Sequence, residues 1–318
     1  MSDYPFKVSV VVPSFNRGHL LARTLPTYLQ DDVGELILVD DCSSDDTQKV
    51  VAELQKTYPQ IKYLRNEKNS KQTYSKNRGI MEAKGEFIYF GDDDSLLLSN
   101  SISLLLAALE KENADFAGAR ALYMGNYCPT DEQSILAYEK WQRDKNVISP
   151  DKVARILPFE SHFNAWTNRR AETPYLPACL LCKQAGAKQI LFDTNYTGCA
   201  YREETDFCLR AVFAGMKLVY EPNAVQINLP QKLVRSTGAH TGGRDKWLKS
   251  ALDCNSYFFD KNWERIVEYF SLAISKEEML LETEKDIRSI AKQKINVLKE
   301  LLKKIYFRTV VLTSYRVK

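Results

Sequence analysis

Three consecutive aspartates, Asp92, Asp93 and Asp94, follow an apolar run and a single glycine in the stretch EFIYFGDDDSLLL. Carboxylates crowded at one strand end repel one another, so their placement calls for a nearby positive charge. Carboxylate oxygens suit hard cations such as Mg²⁺ or Mn²⁺, and a bound cation would relieve the repulsion. In extended backbone, alternate residues point the same way, so Asp92 and Asp94 can share one ligand assembly while Asp93 points elsewhere. Helix capping is the competing role for such a cluster. Without a cation the loop is expected to be loose.

Two more acidic groups stand at corresponding places. Asp40-Asp41 ends the apolar run GELILVD, and Glu203, Glu204 and Asp206 open a helix, where negative charge favours the macrodipole. Asp40-Asp41 with a later acidic cluster also resembles the Mg²⁺ pocket of phosphoacceptor receiver domains. Those domains begin with the strand that carries the acidic pair, carry one phosphoacceptor aspartate and are much shorter.

The elements that position these groups alternate. Buried strands are expected at residues 7–12, 34–40, 61–64, 86–90 and 114–118, and helices after Asn16 (as cap), after Ser43-Ser44-Asp45-Asp46, and at 73–83 and 99–109. Strand–helix alternation with short connections predicts a mostly parallel α/β sheet whose ligands bind at the carboxyl ends of its strands. Pro13-Ser14-Phe15-Asn16, Asp40-Asp41 and Asp92-Asp93-Asp94 all fall at such ends, which predicts one acidic, polar cleft. Residues 128–171 read as irregular, with His162 and Trp166 at an acceptor rim or in packing. Order returns with residues 180–183, a helix at 203–214 and a strand at 217–220.

Composition narrows the classes. A net charge of +3 gives no case for nucleic acid, and seven scattered cysteines make no disulfide framework and fit a reducing compartment. Cys179 and Cys182 form a lone CxxC without a second pair at zinc spacing. No signal peptide and no apolar span of bilayer length is visible, so the expected location is cytoplasmic, with peripheral contact at the cytosolic face of a membrane as an option. The last segment, with Lys299, Lys303, Lys304 and Arg308 among Leu301, Leu302, Ile305 and Phe307, is a basic amphipathic helix that either lies on an anionic membrane or packs on the main domain.

In this order, VSVVVPSFNR, ILVDDCSSDDT, NSKQTYSKNRGIMEAKGEFIYFGDDD and YREETDFCLRA closely resemble the family 2 inverting glycosyltransferases of the GT-A fold, over roughly residues 7–245. The resemblance implies a Rossmann-like, mostly parallel sheet flanked by helices: a catalytic domain at 1–245, divided into a nucleotide-sugar half (1–127) and an acceptor half (128–245), and a helical C-terminal extension at 246–318. It implies transfer of a sugar from a nucleotide diphosphate, UDP first, to a hydroxyl of a glycan or lipid-linked acceptor, with Mn²⁺ or Mg²⁺ as cofactor.

The implied donor residues are Pro13, Ser14, Asn16, Arg17, Asp41, Lys71, Lys76, Arg78, Asp92, Asp93 and Arg244; the metal falls to Asp94 with Asp92, and the catalytic base to Glu204. Where the family often has a histidine ligand this sequence has Asn228, so the third ligand is either His240, beside the GGxR-like Gly242-Gly243-Arg244, or diphosphate and water. The segment PYLPACLL is implied to line the acceptor pocket, with Ala178 where a polar residue is common. A sugar nucleotidyltransferase would need a Gly-rich loop after the first strand, and PSFNRGHL supplies one glycine. A non-catalytic binding domain is the third option.

Overall fold

The computed structural model describes residues 4–124, 131–157, 159–234 and 243–292. The first half runs β1 (Val8–Ser14), α1 (Gly18–Thr24), β2 (Val33–Asp40), α2 (Thr47–Thr57), β3 (Ile61–Arg65), α3 (Lys71–Glu82), β4 (Phe87–Phe90), β5 (Ser95–Leu97), α4 (Ser101–Glu112) and β6 (Phe116–Tyr123). The second half adds α5 (Glu132–Lys145), the small hairpin of β7 (Ala154–Arg155) and β8 (Glu160–Ser161), then β9 (Ala171–Glu172), β10 (Leu180–Lys183) and α6 (Gln184–Ile190). It closes with α7 (Glu203–Phe213), β11 (Leu218–Asn228), α8 (Gln231–Val234), α9 (Gly243–Phe270) and α10 (Lys276–Lys292).

The main sheet has the order β3-β2-β1-β4-β10-β6-β11-β5, with β9 on β11. Pairs β1–β2, β2–β3, β1–β4 and β6–β11 are parallel, whereas β10 runs antiparallel between β4 and β6. The alternation within β1 explains why both faces are covered: Val8, Val10 and Val12 pack with Leu21, Leu25 and Val51 on one side. Val11 packs on the other with Ile80 of α3 and Phe207 of α7. Strands buried on both faces read as near-continuous apolar runs, which is how Val10–Val12 of β1 and Leu36–Val39 of β2 are written. Because β1 has β2 on one side and β4 on the other, the chain reverses direction of travel across the sheet at β1, and a crevice opens at its carboxyl end. Ser14 pairs with Asp40 and Val11 with Phe90 in register, so the three acidic or polar strand ends are neighbours.

Several expectations change. The stretch expected to be irregular contains α5, capped by Asp131, whose side chain accepts from the Ser134 amide at 2.9 Å. The strand expected at 217–220 extends to Asn228 across a bulge between Glu221 and Val225. Helix α9 begins at Gly243, two residues before the expected boundary at 245, and packs on α7. Asn16 does not cap α1: it has φ 54°, its amide donates to Ser43 Oγ, and its side chain accepts from the Ser44 amide. Asp45 takes the capping role instead, accepting from the Gly18 amide at 3.0 Å. Cys179 and Cys182 lie in cores on opposite faces of the sheet, because residues three apart on a strand point opposite ways, so they form no metal or redox pair. Among the described residues no helix is long and apolar enough to cross a membrane. The basic C-terminal helix lies outside the described residues, as do His240 and Gly242.

Candidate active site

A cleft of about 400 Å³ opens at the carboxyl ends of β1, β2 and β4, lined by Pro13, Ser14, Arg17, Asp41, Lys71 and Asp92–Asp94 among others. Its opposite wall is α9, which contributes Lys246, Trp247 and Ser250. Sequence reasoning missed that wall; the only signal for it was the GGxR-like run that includes Gly243 and Arg244, where the helix starts.

The loop of three aspartates is pinned, not loose. Tyr28 Oη donates to the Asp92 carbonyl at 2.9 Å and accepts from the Asp92 amide at 3.1 Å. Gly91 permits this approach, since a Cβ there would stand 2.8 Å from the Tyr28 ring. The Asp93 carbonyl accepts from Thr24 Oγ1 and the Asp94 carbonyl from the Leu229 amide. Asp92 is aimed by Gln226, whose Nε2 donates to Oδ2 at 2.9 Å while its Oε1 accepts from Tyr89 Oη at 2.8 Å. The nearby positive charge is Arg17, 3.7 Å from Asp94 Oδ2.

Charge remains in excess all the same. Burial, and then the charge of Asp94, push the Asp92 carboxyl up to about 6 and that of Asp93 up to about 7. Such a deficit of positive charge, met by oxygen ligands only, fits a hard divalent cation. Among the described residues no three His, Cys, Asp or Glu side chains are grouped to hold a metal, so a cation here would draw its remaining ligands from phosphate oxygens and water, as Mg²⁺ commonly does. Asn228 does line the cleft, in register with Ser95 next to Asp94.

The two acidic pairs each divide their work. Asp40 is fully buried and accepts from the Ser43 amide, Tyr63 Oη and Arg65. Asp41 faces the cleft but caps α3 from a distance, accepting from Asn66 Nδ2 and the Ser70 amide on Oδ1 and from the Lys71 amide on Oδ2. Oδ2, with a single donor among the described residues, retains accepting capacity.

At the start of α7, Glu203, Glu204 and Asp206 serve three different ends. Asp206 clamps α9 to the core, accepting from Arg210, Lys261 and Asn262. Glu203 and Glu204 share Lys76 of α3, whose Nζ lies 2.7 Å from Glu203 Oε1 and 2.9 Å from Glu204 Oε1. Lys76 rests on an aromatic floor, 4.8 Å above the Phe192 ring, which stacks on Phe207 at 4.2 Å. Despite its burial, which disfavours the charged form, Lys76 is held protonated by Glu203 and Glu204.

Gln72 also donates to Glu203 Oε1, while the buried Oε2 has no donor among the described residues. Burial pushes the Glu203 carboxyl well above the usual carboxylate range, against the pull of the Lys76 charge. Glu204 goes the other way: against desolvation, Lys76 and Glu203 hold it below the usual glutamate value. Glu204 keeps 23% exposure and stands beside the cleft, not on its lining.

The remaining predicted residues scatter. Lys76 turns inward to the glutamates instead of lining the cleft, and Arg78 donates to the Arg65 carbonyl and Asn66 Oδ1, away from it. Lys71 lines the cleft; Arg244 is exposed in the first turn of α9, one turn before Trp247. Asn16 braces the loop at Ser43-Ser44. Gly18 starts α1 with its amide on Asp45, so the loop after β1 is not a glycine-rich phosphate cradle. His162 pairs with Glu160, Trp166 Nε1 donates to Asn223, and Tyr175 and Leu176 of PYLPACLL are buried core, so none of these lines the cleft.

A profile described as "Glycosyl transferase family 2" matches residues 9–174. The chain is 44% identical over 115 residues to the GalNAc(5)-diNAcBac-PP-undecaprenol beta-1,3-glucosyltransferase of Campylobacter jejuni, covering 35% of this chain and 36% of that one. It is 31% identical over 138 residues to the UDP-Glc:alpha-D-GlcNAc-diphosphoundecaprenol beta-1,3-glucosyltransferase WfgD of Escherichia coli, covering 43% and 51%. The matched stretch thus spans between a third and a half of these relatives. Among solved structures, S. aureus TarS in complex with UDP-GlcNAc aligns over 96% of this chain and 76% of its own with TM-score 0.55 at 15% identity. The mannosyltransferase PcManGT of Pyrobaculum calidifontis, in complex with GDP-Man and Mn2+, aligns over 99% and 87% with TM-score 0.55 at 17% identity. The shared architecture is the GT-A fold.

Proposed function

Because the chain belongs to glycosyl transferase family 2, we propose that it moves a sugar, with inversion, from a nucleoside diphosphate to a hydroxyl of a lipid-linked glycan acceptor. The observation that carries this reading is the Glu204 carboxylate, 2.9 Å from Lys76 Nζ, beside a cleft whose floor is Asp92–Asp94. The printed names of the Campylobacter and Escherichia relatives support a diphosphate-lipid acceptor. UDP-Glc in one name and UDP-GlcNAc in the TarS complex support a uridine donor.

In this mechanism the Glu204 carboxylate takes the proton of the acceptor hydroxyl as its oxygen attacks the anomeric carbon from the side opposite the leaving diphosphate. Lys76 keeps Glu204 ionised before attack. Asp94, with Asp92, would hold a divalent cation, Mn²⁺ or Mg²⁺, which when bound supplies Lewis-acid stabilisation of the leaving diphosphate. Arg17, Lys71 and Lys246 add positive charge around the diphosphate, and Asp41 Oδ2 accepts from the base. A lipid-linked acceptor would bring the protein to the cytosolic face of a membrane as a peripheral protein.

The test is a transfer assay with a UDP-sugar panel and a diphosphate-lipid acceptor. Both Asp94→Asn and Glu204→Gln are expected to lose transfer. Full activity in both variants with the working donor would refute the assignment.

A further inference from the structure

Two thiols meet at the rim of the cleft. Cys199 lines it from the loop before α7, and its backbone amide donates to Ser250 Oγ of α9 at 2.9 Å. One turn along α9, Cys254 Sγ lies 3.3 Å from the Thr197 carbonyl, and Ser250 Oγ reaches the same carbonyl at 3.4 Å. Gly198, at φ 63°, lies flat between them: a Cβ there would stand 2.1 Å from Ser250 Oγ. The clamp leaves the Cys199 and Cys254 side chains hydrogen-bonded to each other.

No other described cysteine is so placed. Cys179, Cys182 and Cys208 are fully buried, and burial pushes their thiols up. Cys42 is partly exposed, near the Glu67 carbonyl and Arg65 and away from any second thiol. The hydrogen bond from Cys254 lowers the Cys199 thiol to about 6 against desolvation, with Ser250 and the Tyr201 amide assisting, so thiolate is available at neutral pH.

We propose that Cys199 and Cys254 form a reversible dithiol–disulfide site on the wall of the cleft, with low-molecular-weight disulfides as its reaction partner. The Cys199 thiolate attacks one sulfur of the external disulfide; that S–S bond breaks and one thiolate leaves, taking a proton from solvent. Cys254 then gives its proton to solvent and attacks the Cys199 sulfur of the mixed disulfide, expelling the second thiol. Two protein thiols are oxidised to one disulfide and the external disulfide is reduced to two thiols. The intermediate adduct occupies the cleft, so a ligand bound there protects Cys199. The thiol chemistry itself does not depend on the transfer reading.

The test uses the full chain, reduced and then equilibrated in glutathione–glutathione disulfide buffers, quenched in acid, alkylated and peptide-mapped. A cross-link between the Cys199 and Cys254 peptides is expected. Cys254→Ser should stop at a glutathione adduct on Cys199, and Cys199→Ser should leave Cys254 unmodified. In the unaltered protein, iodoacetamide at pH 7 should label Cys199 first, as the cleft-lining thiol held beside Cys254. UDP with Mn²⁺ should slow that labelling; equal rates with and without it would refute the placement of Cys199 in the ligand's path, while leaving the cross-link result to decide the pair. Absence of the cross-link under oxidising ratios, or glutathione on Cys42 in preference to Cys199, would overturn the proposal.

Discussion

Lys76 and Glu203 form an ion pair at 2.7 Å in which neither residue is more than 2% exposed, joining α3 to α7 across 127 positions of sequence. A buried lysine without its partners would shed its proton or draw in water. Here it is shared with Glu204, so one cation both locks two helices together and sets the protonation of the group beside the cleft.

Lys76→Met should therefore act on stability and on pH dependence together. Losing one member of a buried pair costs about 3–5 kcal/mol, read as a shift of the denaturation midpoint. The folded pKa of Lys76 is raised, so its stabilising contribution is present below the ordinary lysine value and is lost as pH rises through the folded one. Removing its charge raises the Glu204 pKa, so the acid limb of kcat should move to higher pH. A pH profile superimposable on that of the unaltered protein would break the link between Lys76 and Glu204.

Glu204→Gln keeps the shape of the side chain and its contact with Lys76 but cannot take a proton. A fall in kcat of about 10²–10⁴, with donor affinity changed little, is expected from loss of a general base. Calorimetric titration of the nucleotide alongside steady-state kinetics separates the two. A rise in KM at unchanged kcat would assign Glu204 to binding instead.

Gln226 tests the aim of Asp92. Gln226→Leu removes the donor to Asp92 and leaves Tyr89 Oη without its acceptor, at a cost of about 1–3 kcal/mol. Thermal melts should show the loss, and the stabilisation gained from UDP with Mn²⁺ should shrink. An undiminished ligand-induced shift would mean that Asp92 needs no aiming.

Acid stability should report the seam between the loop before α7 and α9. Against desolvation, Lys261, the Asn195 amide and Tyr257 hold the Asp193 carboxyl at about 2. That depressed pKa contributes stability above the ordinary aspartate value, and the contribution disappears as pH falls towards about 2; the linkage is about 2 kcal/mol. Asp193→Asn should show a shallower loss of stability between pH ~4 and ~2, in denaturant titrations at each pH. An identical slope in both proteins would exclude Asp193 as a source of the acid dependence.

The strands were legible because β1 and β2 are buried on both faces and so carry near-continuous apolar runs, and the cleft followed from where their polar ends fall. Helix α5 was not, since only Ser134, Ala137 and Tyr138 are buried along it, too few to print a helical stripe. Roles within each acidic group were also hidden. Nothing local separates Asp40 from Asp41, or Glu203 from Glu204 and Asp206; the distinction comes from Arg65, Lys76 and Lys261, which arrive from distant segments. Lys76 shows this most clearly: the family resemblance implies a nucleotide contact, and its contacts with Glu203 and Glu204 of α7 turn it inward.

The Tyr28 hydroxyl that holds both the amide and the carbonyl of Asp92 has a practical corollary. Backbone contacts from Tyr28, Thr24 and Leu229 fix the loop without calling on the carboxylates, so asparagine can replace any of the three aspartates without releasing it. Such variants should crystallise isomorphously with the parent protein, making them suitable traps for soaking an intact donor that the active protein would consume.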